Sequence, residues 1–493
     1  MPSVATPQTR CRAGVARIDI TPPVGIYHRM WGAAKHDRST GIHRPLNATA
    51  LALSPLSTSS HSAAAHETLL VLGVDHCLLW GREMQVLLDR LVAGAGVPRE
   101  RIVVAFSHTH GAGLLGLERA SLPGGDLIPP YLDALAERLI EIARSALRDA
   151  VPATIVYGTG HCDLARHRDL WDNDTLQWVC GFHPGGKADD TVGVARITSD
   201  ASDTTPAKTL ATVVNYACHP TTLAWDNTLI SPDFIGAMRE VIEAETHAPC
   251  LFLQGASGDL GPRDGFVGDT AVADRNGRQL GFAALAAITP LPPPLTRHEY
   301  RGPVVSGATI GVWQHVPLEA AQQTKLARWQ VESFAVELPL RDDLPNREQA
   351  DAQIAQLTQH ERDALSRGEE SVARDYRAQI ERLTRWLVRL ATLPPGKTCS
   401  VPITLARLGD ADWLFLESEH YQRLQTSLRA RFADRPLFVT TIVNGSVHTY
   451  LPPREVYGTG IYQETVAVLA PGCLETVIDA IGARLQSRPA TGA

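Results

Sequence analysis

The chain has 493 residues, of which 44% are hydrophobic and 20% charged, a composition that suits a globular protein with a sizeable core. Its 46 Lys and Arg against 53 Asp and Glu give a formal net charge of −7, which argues against nucleic acid or an anionic membrane surface as the main partner. No apolar run of about 18 residues predicts a transmembrane helix, and residues 1–12 lack the apolar core of a signal peptide, so we expect a cytoplasmic protein.

The eight cysteines are scattered along the chain, and no two have the C-x-x-C spacing of a zinc ribbon or a thioredoxin-like site. In a chain of this length, scattered cysteines indicate buried thiols rather than a disulfide framework. They therefore signal neither a metal site nor a redox site.

Apolar runs alternate with helical patterns through the first part of the chain. Residues 14–20 alternate apolar and polar side chains before two prolines, which predicts an early strand. Further apolar, β-branched runs predict strands at Ala48–Leu53, Thr68–Val74, Arg101–Phe106, Thr154–Gly158, Val192–Ile197, Lys208–Tyr216 and Cys250–Gln254. Helical spacing of apolar residues predicts helices at Gly81–Ala93, Tyr131–Ala150 and Asp269–Ala287. Another helix is expected to open at Ser231-Pro-Asp233, with Ser231 as its cap, and to run to about Thr246.

Three stretches depart from this alternation. Residues 55–66 are rich in Ser, His and Ala and predict an exposed loop, whereas residues 160–190 are polar and aromatic without periodicity and either line a site or cover a sheet. Residues 345–392 contain two charged helical patterns, Gln349–Leu365 and Glu370–Leu390, and predict a helical hairpin. This hairpin could cover a site, form a dimer contact or be an insertion, and an insertion is the most ordinary of the three.

Strands and helices alternate again near the end of the chain. Strands are expected at Val401–Arg407, Asp412–Leu416 and Leu437–Val443, and helices at Tyr421–Phe432 and Leu474–Leu485. The predicted fold class is therefore α/β, with mixed sheets flanked by helices and an inserted helical hairpin.

The stretch Ser107-His-Thr-His110 follows a buried strand and precedes a glycine turn. Its histidines are two residues apart, so in an extended backbone both would point to the same side. One histidine could then bind a metal while the other faces a substrate. A polar loop with incidental histidines explains the same stretch, so this motif alone decides nothing.

Polar side chains follow three other predicted strands, namely those of His219, Glu419 and Tyr450. Sites in α/β proteins gather beyond strand ends, and two imidazoles with a carboxylate make an open catalytic zinc set, although the same donors suit iron or manganese. His219 and Glu419 also have ordinary structural interpretations, as a turn residue and as a solvated or helix-capping carboxylate. Asp259, which follows a Gly-rich turn, is likewise typical of a turn residue that hydrogen-bonds the backbone. From the residues alone, a metal hydrolase is one of several hypotheses.

Four motifs, in this order, resemble the neutral/alkaline (non-lysosomal) ceramidase family, whose members are zinc-dependent amidases that cleave the N-acyl bond of ceramide. They are Ala13-Gly-Val-Ala-Arg-Ile-Asp-Ile-Thr-Pro-Pro23, Ser107-His-Thr-His-Gly111, Asn215-Tyr-Ala-Cys-His-Pro-Thr221 and Gln254-Gly-Ala-Ser-Gly-Asp-Leu-Gly-Pro262. The resemblance spans residues 13–480. It implies that residues 1–493 form a single ceramidase-like catalytic domain, with residues 345–392 as the inserted hairpin.

The resemblance also implies a site. It assigns Zn(2+) to His108, His219, Glu419 and Tyr450; the last is identified because Tyr450, Tyr457 and Tyr462 keep the family's tyrosine spacing. It assigns catalytic or substrate-contacting roles to His110, Tyr462, Asp259 and an arginine, for which Arg166 and Arg168 both fit and Arg168 is preferred.

Two departures from the family weaken the expectation that ceramide is the substrate. The family has a serine beside the proline of the Gly-Asp turn, where this chain has Gly261; Ser257 lies close in sequence but at a different position. The family's C-terminal immunoglobulin-like domain is also expected to be absent.

Three functional hypotheses follow. The leading one is a zinc amidohydrolase that cleaves the linear amide of a small or lipid-like N-acyl substrate. The second is a metal-dependent esterase or other acyl hydrolase on a small soluble substrate. The third is a non-catalytic family member that binds a ligand or partner, and a homodimer through the 345–392 hairpin is a further expectation.

Overall fold

The computed structural model describes residues 1–57, 66–201 and 204–487. The fold is mixed α/β, with 34% helix and 31% strand, as predicted. Two β-sheets pack face to face in its centre, and helices cover the outer faces of both sheets. The main predicted elements are present, with their ends shifted by a few residues.

The larger sheet has eight strands in the spatial order β8-β7-β6-β5-β1-β2-β3-β4. In chain order, β1 to β8 are Gln8–Asp19, Asn47–Ser54, Leu69–Val74, Ile102–Phe106, Val151–His161, Thr191–Ser199, Thr209–Tyr216 and Cys250–Gln254. Most neighbours are antiparallel, but β3 is parallel to β4 and β7 is parallel to β8. The carboxyl ends of these two outer pairs carry two of the segments singled out in the sequence.

The second sheet has four strands in the order β9-β10-β11-β12, which are Trp329–Pro339, Thr398–Leu408, Ala411–Leu416 and Leu437–Thr440. Here β11 and β12 are parallel. The side chains of Trp413, Phe415 and Phe438 extend from this sheet and are buried among apolar side chains of the larger sheet. This apolar layer between the sheets fixes their relative position, because burial of such area is the main stabilising term in folding.

The helices α1 to α10 are Gly81–Ala95, Ile128–Arg148, Phe234–Thr246, Thr270–Ile288, Ala320–Leu326, Arg347–Ser366, Glu370–Thr392, Arg423–Arg431, Tyr462–Val466 and Cys473–Gln486. Helices α1 and α2 cover one part of the larger sheet, α3 and α4 cover another, and α8 and α10 cover the smaller sheet. The amphipathic pattern of α2 explains its placement, since Leu135, Leu139 and Ile142 are buried on a single face.

The predicted helical hairpin is present as α6 and α7. Asn346 caps α6 by accepting hydrogen bonds from the backbone amides of Glu348 and Gln349. Gly368, between the two helices, has φ of 75°, a conformation that favours glycine. That the hairpin is an insertion in the domain stays a prediction.

Several strands were not predicted from the sequence. Thr296–Ser306 and Ala308–Pro317 form an antiparallel hairpin, and β9 follows it. Most side chains of the hairpin are exposed or half-buried on both faces, so the apolar alternation that identifies a strand is missing. The irregular region 160–190 likewise contains short strands at Ala165–His167, Asp169–Asp172 and Gln177–Cys180.

Two predicted boundaries were wrong. Helix α3 begins at Phe234 with Asp233 as its cap, not Ser231, because the Asp233 carboxylate accepts from the Phe234 amide. Strand β12 ends at Thr440 instead of Val443, because Ile442 at φ 59° and Asn444 at φ 55° turn the backbone out of the strand. Most of the predicted loop 55–66 lies outside the described residues.

The remaining expectations concern thiols and membranes. All eight cysteines are free and seven are buried, as predicted; Cys180 is the exposed one. Among the described residues, no helix has the length and apolarity needed to cross a bilayer.

Candidate metal centre

Four polar side chains meet at the edge where the two sheets join. His108 follows β4, His219 follows β7, Glu419 follows β11 and Tyr450 follows β12. Each of these strands belongs to a parallel pair, so their carboxyl ends open in the same direction. The side-chain amide of Asn444 links the segment after β12 to β4, because it donates to the Ile102 carbonyl and accepts from the Val104 backbone amide.

The donor atoms of this set lie at metal-ligand spacing. His108 Nε2 is 3.2 Å from His219 Nε2 and 3.4 Å from Glu419 Oε2. His219 Nε2 and Glu419 Oε2 are 3.1 Å apart. Tyr450 OH is 3.3 Å from His219 Nε2. A tetrahedral site with bonds of about 2.0–2.1 Å places its ligand atoms about 3.3–3.4 Å apart. The two imidazoles, the carboxylate and the phenol therefore fit around one small divalent ion.

Backbone carbonyls orient both histidines. His108 Nδ1 donates to the Cys77 carbonyl at 2.8 Å, and His219 Nδ1 donates to the Ser257 carbonyl at 2.7 Å. These bonds hold a proton on Nδ1 of each ring, so Nε2 is the atom that would bind a metal ion, as in most histidine metal ligands. Both imidazoles are buried and prepared to bind a cation.

Glu419 and Tyr450 are neighbours in a short two-stranded sheet. Glu419–His420 runs parallel to Tyr450–Leu451, with Glu419 in register with Tyr450, and the Glu419 amide donates to the Thr449 carbonyl at 2.8 Å. The residues before them, Ser418 at φ 74° and Thr449 at φ 56°, have backbone conformations that side chains disfavour. The tight turns that aim both ligands inward depend on these strained residues.

His108 itself has φ of 66°. The prediction that His108 and His110 share one side of an extended segment was therefore wrong, because the backbone turns at His108 and continues into a short 3₁₀ turn. The two rings nevertheless lie close together, with centroids 5.0 Å apart.

The charges around Glu419 favour its ionised form. Burial raises the pKa of its carboxyl, but His108 and His219 outweigh that effect and hold the pKa well below its usual value. Arg168, also buried, donates through Nη2 to Tyr450 OH at 3.0 Å and to the Gly258 carbonyl at 2.7 Å. Burial raises the pKa of the Tyr450 hydroxyl well above its usual value, and the positive guanidinium beside the phenol opposes that shift.

Cys77, His108 and His110 form a second group with ligand atoms within 4.8 Å of one another. The Cys77 thiol lies 3.6 Å from His108 Nδ1, but that nitrogen already donates to a carbonyl. The free Nε2 of His108 faces His219 and Glu419 instead. The set of two histidines, Glu419 and Tyr450 therefore suits an ion better.

A cavity of about 490 Å³ opens above these four side chains. It is lined by Met30, Trp31, Gly32, His110, Arg168, Cys180, Thr221, Trp225, Phe266, Ala378, Glu381, Arg382, Arg385, Arg389, Tyr450, Tyr462 and Val466. Its size is that of a small-molecule site. Helix α7 supplies one wall, so the hairpin does cover the site; a homodimer contact through the hairpin stays a prediction.

His110 and Tyr462, predicted as catalytic residues, both line this cavity. Neither ring nitrogen of His110 has a hydrogen-bond partner within the described chain, and burial lowers the pKa of its imidazole well below the usual value. The Tyr462 ring lies 5.9 Å from that of Tyr450 and is 44% exposed. Tyr457, in contrast, donates its hydroxyl to the Leu469 carbonyl.

The two candidate arginines separate clearly. Arg168 lines the cavity, whereas Arg166 pairs with the exposed Asp163 at 2.8 Å. Asp259 does not line the cavity: its carboxylate accepts from the backbone amide and the side chain of Gln422 at 2.7 and 2.8 Å. It therefore supports the segment that follows Glu419 instead of facing the pocket.

Solved ceramidase structures resemble this one. The neutral ceramidase from Pseudomonas aeruginosa matches with a TM-score of 0.63 at 16% identity, covering 99% of this chain and 76% of that one. A structure described as ceramidase complexed with C2 matches with a TM-score of 0.63 at 14% identity, covering 99% of this chain and 77% of the other. The chain has a neutral-ceramidase-like fold. No protein-family model and no curated protein matches its sequence.

Within this ceramidase-like fold, sequence reasoning missed most of the cavity wall. Trp31, Trp225 and Phe266 form an aromatic cluster, with Trp31 and Phe266 centroids 5.6 Å apart, and the Trp31 ring is 5.2 Å from His110. No local pattern distinguishes these aromatic residues from core residues. The arginines of α7 did leave a signal, since positions 382, 385 and 389 are spaced by three and four and share one helix face.

Proposed function

We propose that this chain is a zinc-dependent amidohydrolase that cleaves a linear N-acyl bond, and that residues 13–480 form its single catalytic domain. The observation that carries the proposal is the meeting of His108, His219, Glu419 and Tyr450 at tetrahedral spacing beneath a cavity. The ceramidase-like fold supports it, because the two solved neighbours are named as ceramidases.

The donor set fits zinc. Its two imidazole nitrogens and two oxygens are typical zinc ligands, and zinc-bound histidines usually donate their other ring N–H to a carbonyl or carboxylate, as Nδ1 does here. When bound, the ion supplies Lewis acidity for the scissile carbonyl and lowers the pKa of the attacking water. Iron or manganese would accept the same donors, so metal analysis decides between them.

The protein groups around the centre provide the rest of the chemistry. His110 has free ring nitrogens within the cavity and is placed to hydrogen-bond the oxygen on which charge develops during acyl transfer. Tyr462, across the cavity, offers a hydroxyl to the same region. Arg168 positions Tyr450 and adds positive charge, and we propose Asp259 as a positioning residue that acts through Gln422.

The substrate is proposed to be an N-acyl compound with an apolar chain. The aromatic cluster of Trp31, Trp225 and Phe266 provides an apolar wall for such a chain. An added Cβ at Gly261 would find its nearest neighbours at 3.7 Å, in Thr221, and 3.9 Å, in Arg168. The family's serine hydroxyl is therefore missing beside the centre, which supports a natural substrate other than ceramide.

The same missing hydroxyl favours one alternative, a metal-dependent esterase. A panel of N-acyl amines and matched esters with identical acyl chains separates the two hypotheses. Faster turnover of the amides, lost on chelation and restored by zinc, is the expected result. A clear preference for the esters would replace the amide assignment. Turnover of no substrate by zinc-loaded protein would favour the non-catalytic hypothesis.

A further inference from the structure

Arg389 is a buried guanidinium with no anionic partner among residues 1–57, 66–201 and 204–487. It lies on α7, is 5% exposed and lines the cavity. Its guanidinium carbon is 5.6 Å from the centroid of the Trp80 ring and 5.3 Å from that of Trp386. Its Nε and Nη1 atoms are buried and have no hydrogen-bond partner within the described chain. Two of its donor nitrogens are thus without an acceptor in the part of the chain that the structure describes.

Such an arrangement is costly for the folded protein. A buried charge normally pairs with an opposite charge or with several acceptors. Burial lowers the pKa of Arg389, which is the direction expected for a guanidinium held out of water. The two tryptophan rings hold it by cation–π contacts, but these leave its in-plane donors free.

Among the described residues, no carboxylate forms an ion pair with Arg389, although Glu419 lies near enough to favour its charged form. Glu381, the carboxylate on this wall of the cavity, is shared by Arg119 Nη2 at 2.6 Å and Arg385 Nε at 2.9 Å. Arg385 also donates through Nη2 to the Met30 carbonyl at 2.6 Å. Arg382 is an exposed cation on the same wall. This wall therefore has net positive charge after all of its internal ion pairs are satisfied.

The geometry points to an anion-binding subsite: Arg389, assisted by Arg382 and Arg385, binds a carboxylate or a similar anion carried by the N-acyl substrate. The aromatic cluster on the other wall would take the apolar chain of the same molecule. This inference rests on the proposed function for the bond that is cleaved, and it adds that the substrate is an anionic lipid-like amide. A neutral ceramide would leave the buried guanidinium unpaired.

Matched amides test the inference by kinetics. N-dodecanoylglycine and N-dodecanoylglycinamide have the same scissile bond and differ in one carboxylate on the amine side. The mono-N-hexylamide of dodecanedioic acid and N-hexyldodecanamide differ in one carboxylate on the acyl side. We expect kcat/KM to be higher by about 10-fold or more for the acid in one pair, the size of a hydrogen-bonded charge contact.

Variants assign that preference to the subsite. Arg389→Gln should reduce the preference to about twofold or less, and Arg389→Lys should keep part of it, because a lysine retains the charge but not the fork of donors. Arg362→Gln removes an exposed charge from α6, away from the cavity, and should change nothing. Should Arg389→Gln fail to fold, the exposed Arg382→Gln should still lower the preference for the acid.

Binding separates this inference from the proposed function. If neither pair is hydrolysed, the amidase proposal fails, and calorimetry with both acids and their neutral amides then tests the subsite alone. Binding of one acid about 10-fold tighter than that of its neutral amide, lost in Arg389→Gln, would keep the anion subsite. Equal kinetics for acid and neutral amide in both pairs, or equal binding, would overturn it.

Discussion

The two ends of the cavity are built on different principles. At its floor lie His108, His219, Glu419 and Tyr450, whose side chains are held by strand ends, backbone carbonyls and one another. Its outer wall is the face of α7, where Arg389 keeps two buried nitrogens without partners. The polar atoms of the floor face one another, whereas Nε and Nη1 of Arg389 in the wall have no hydrogen-bond partner among the described residues.

This difference separates the chemistry from the choice of substrate. A rigid floor with every imidazole fixed is preorganised for an ion, which demands accurate distances. A wall of long cationic side chains on a helical hairpin can be changed without disturbing the sheets. The floor is formed at strand ends of the ceramidase-like fold, while the wall is formed by the helical hairpin.

Removal of a floor ligand should have the largest effect. His219→Ala should lower amidase activity by about 10³-fold or more, because even mutation of a group that only hydrogen-bonds a metal ligand lowers activity by about 10–100-fold. Steady-state kinetics on the best substrate of the panel measures it. An Arg362→Gln control, on the far part of the hairpin, should have wild-type activity. Substantial activity in His219→Ala would place the chemistry elsewhere.

Loss of the buried ion pair that supports the His108 segment should have the next largest effect. Asp75, fully buried, pairs with Arg239 through two oxygens at 2.5 and 2.7 Å, and it precedes His76, whose carbonyl accepts from the His108 amide. Asp75→Asn should destabilise the fold by about 3–5 kcal/mol, because Arg239 would remain buried and unpaired. Denaturant unfolding near pH 7 measures this loss, with Asp89→Asn, at an exposed ion pair, as the control.

The same pair predicts a pH dependence. Burial raises the pKa of Asp75, but Arg239 outweighs it and the pKa lies below the usual value. A carboxyl with a lowered folded-state pKa stabilises the protein above its unfolded pKa of about 3.9, and that stability is lost as pH falls through the folded value. Wild type should therefore lose more stability than Asp75→Asn below about pH 4. An equal loss of unfolding free energy in wild type and Asp75→Asn as the pH falls would contradict this prediction.

His110 should matter for rate but not for metal binding. His110→Ala should lower kcat by about 10²–10³-fold, the usual cost of one donor to a developing oxyanion. His110→Gln, which can still donate a hydrogen bond, should recover part of the rate. Loss of metal from His110→Ala would instead make it a ligand.

The smallest expected effect concerns the position of the missing family serine. A Cβ added at Gly261 would make only ordinary van der Waals contacts, at 3.7 Å or more, and Gly261 has no positive φ, so Gly261→Ser should alter the unfolding free energy by about 0.5 kcal/mol or less. Its effect should appear in selectivity, as a change in the ratio of ceramide to N-dodecanoylglycine turnover. An unchanged ratio would show that this position does not contact the substrate.

The sequence allowed the floor to be predicted and not the wall. His108, His219, Glu419 and Tyr450 each follow a recognisable strand, so their meeting at one edge of the sheets could be inferred from the strand pattern and the family motifs. The positive φ of His108 could not be inferred, because side-chain patterns do not encode a single strained residue. The place of α7 above the cavity depends on long-range packing, as does the choice of Arg168 over Arg166.

The strand hairpin Thr296–Ser306 and Ala308–Pro317 was missed for a different reason. Its exposed surfaces remove the burial pattern from which strands are recognised. Sequence patterns thus identified elements that bury one face, and they failed where a segment is solvated on both faces or where a single residue sets a turn.

Metal content is the most direct test of the account. Purified protein, analysed by mass spectrometry of its metals after removal of loosely bound ions, should contain about one zinc per chain. His110→Ala and Arg389→Gln should keep that ion, while His219→Ala and Glu419→Gln should lose it. Absence of bound metal from wild type, or full retention in both floor variants, would contradict the proposed centre.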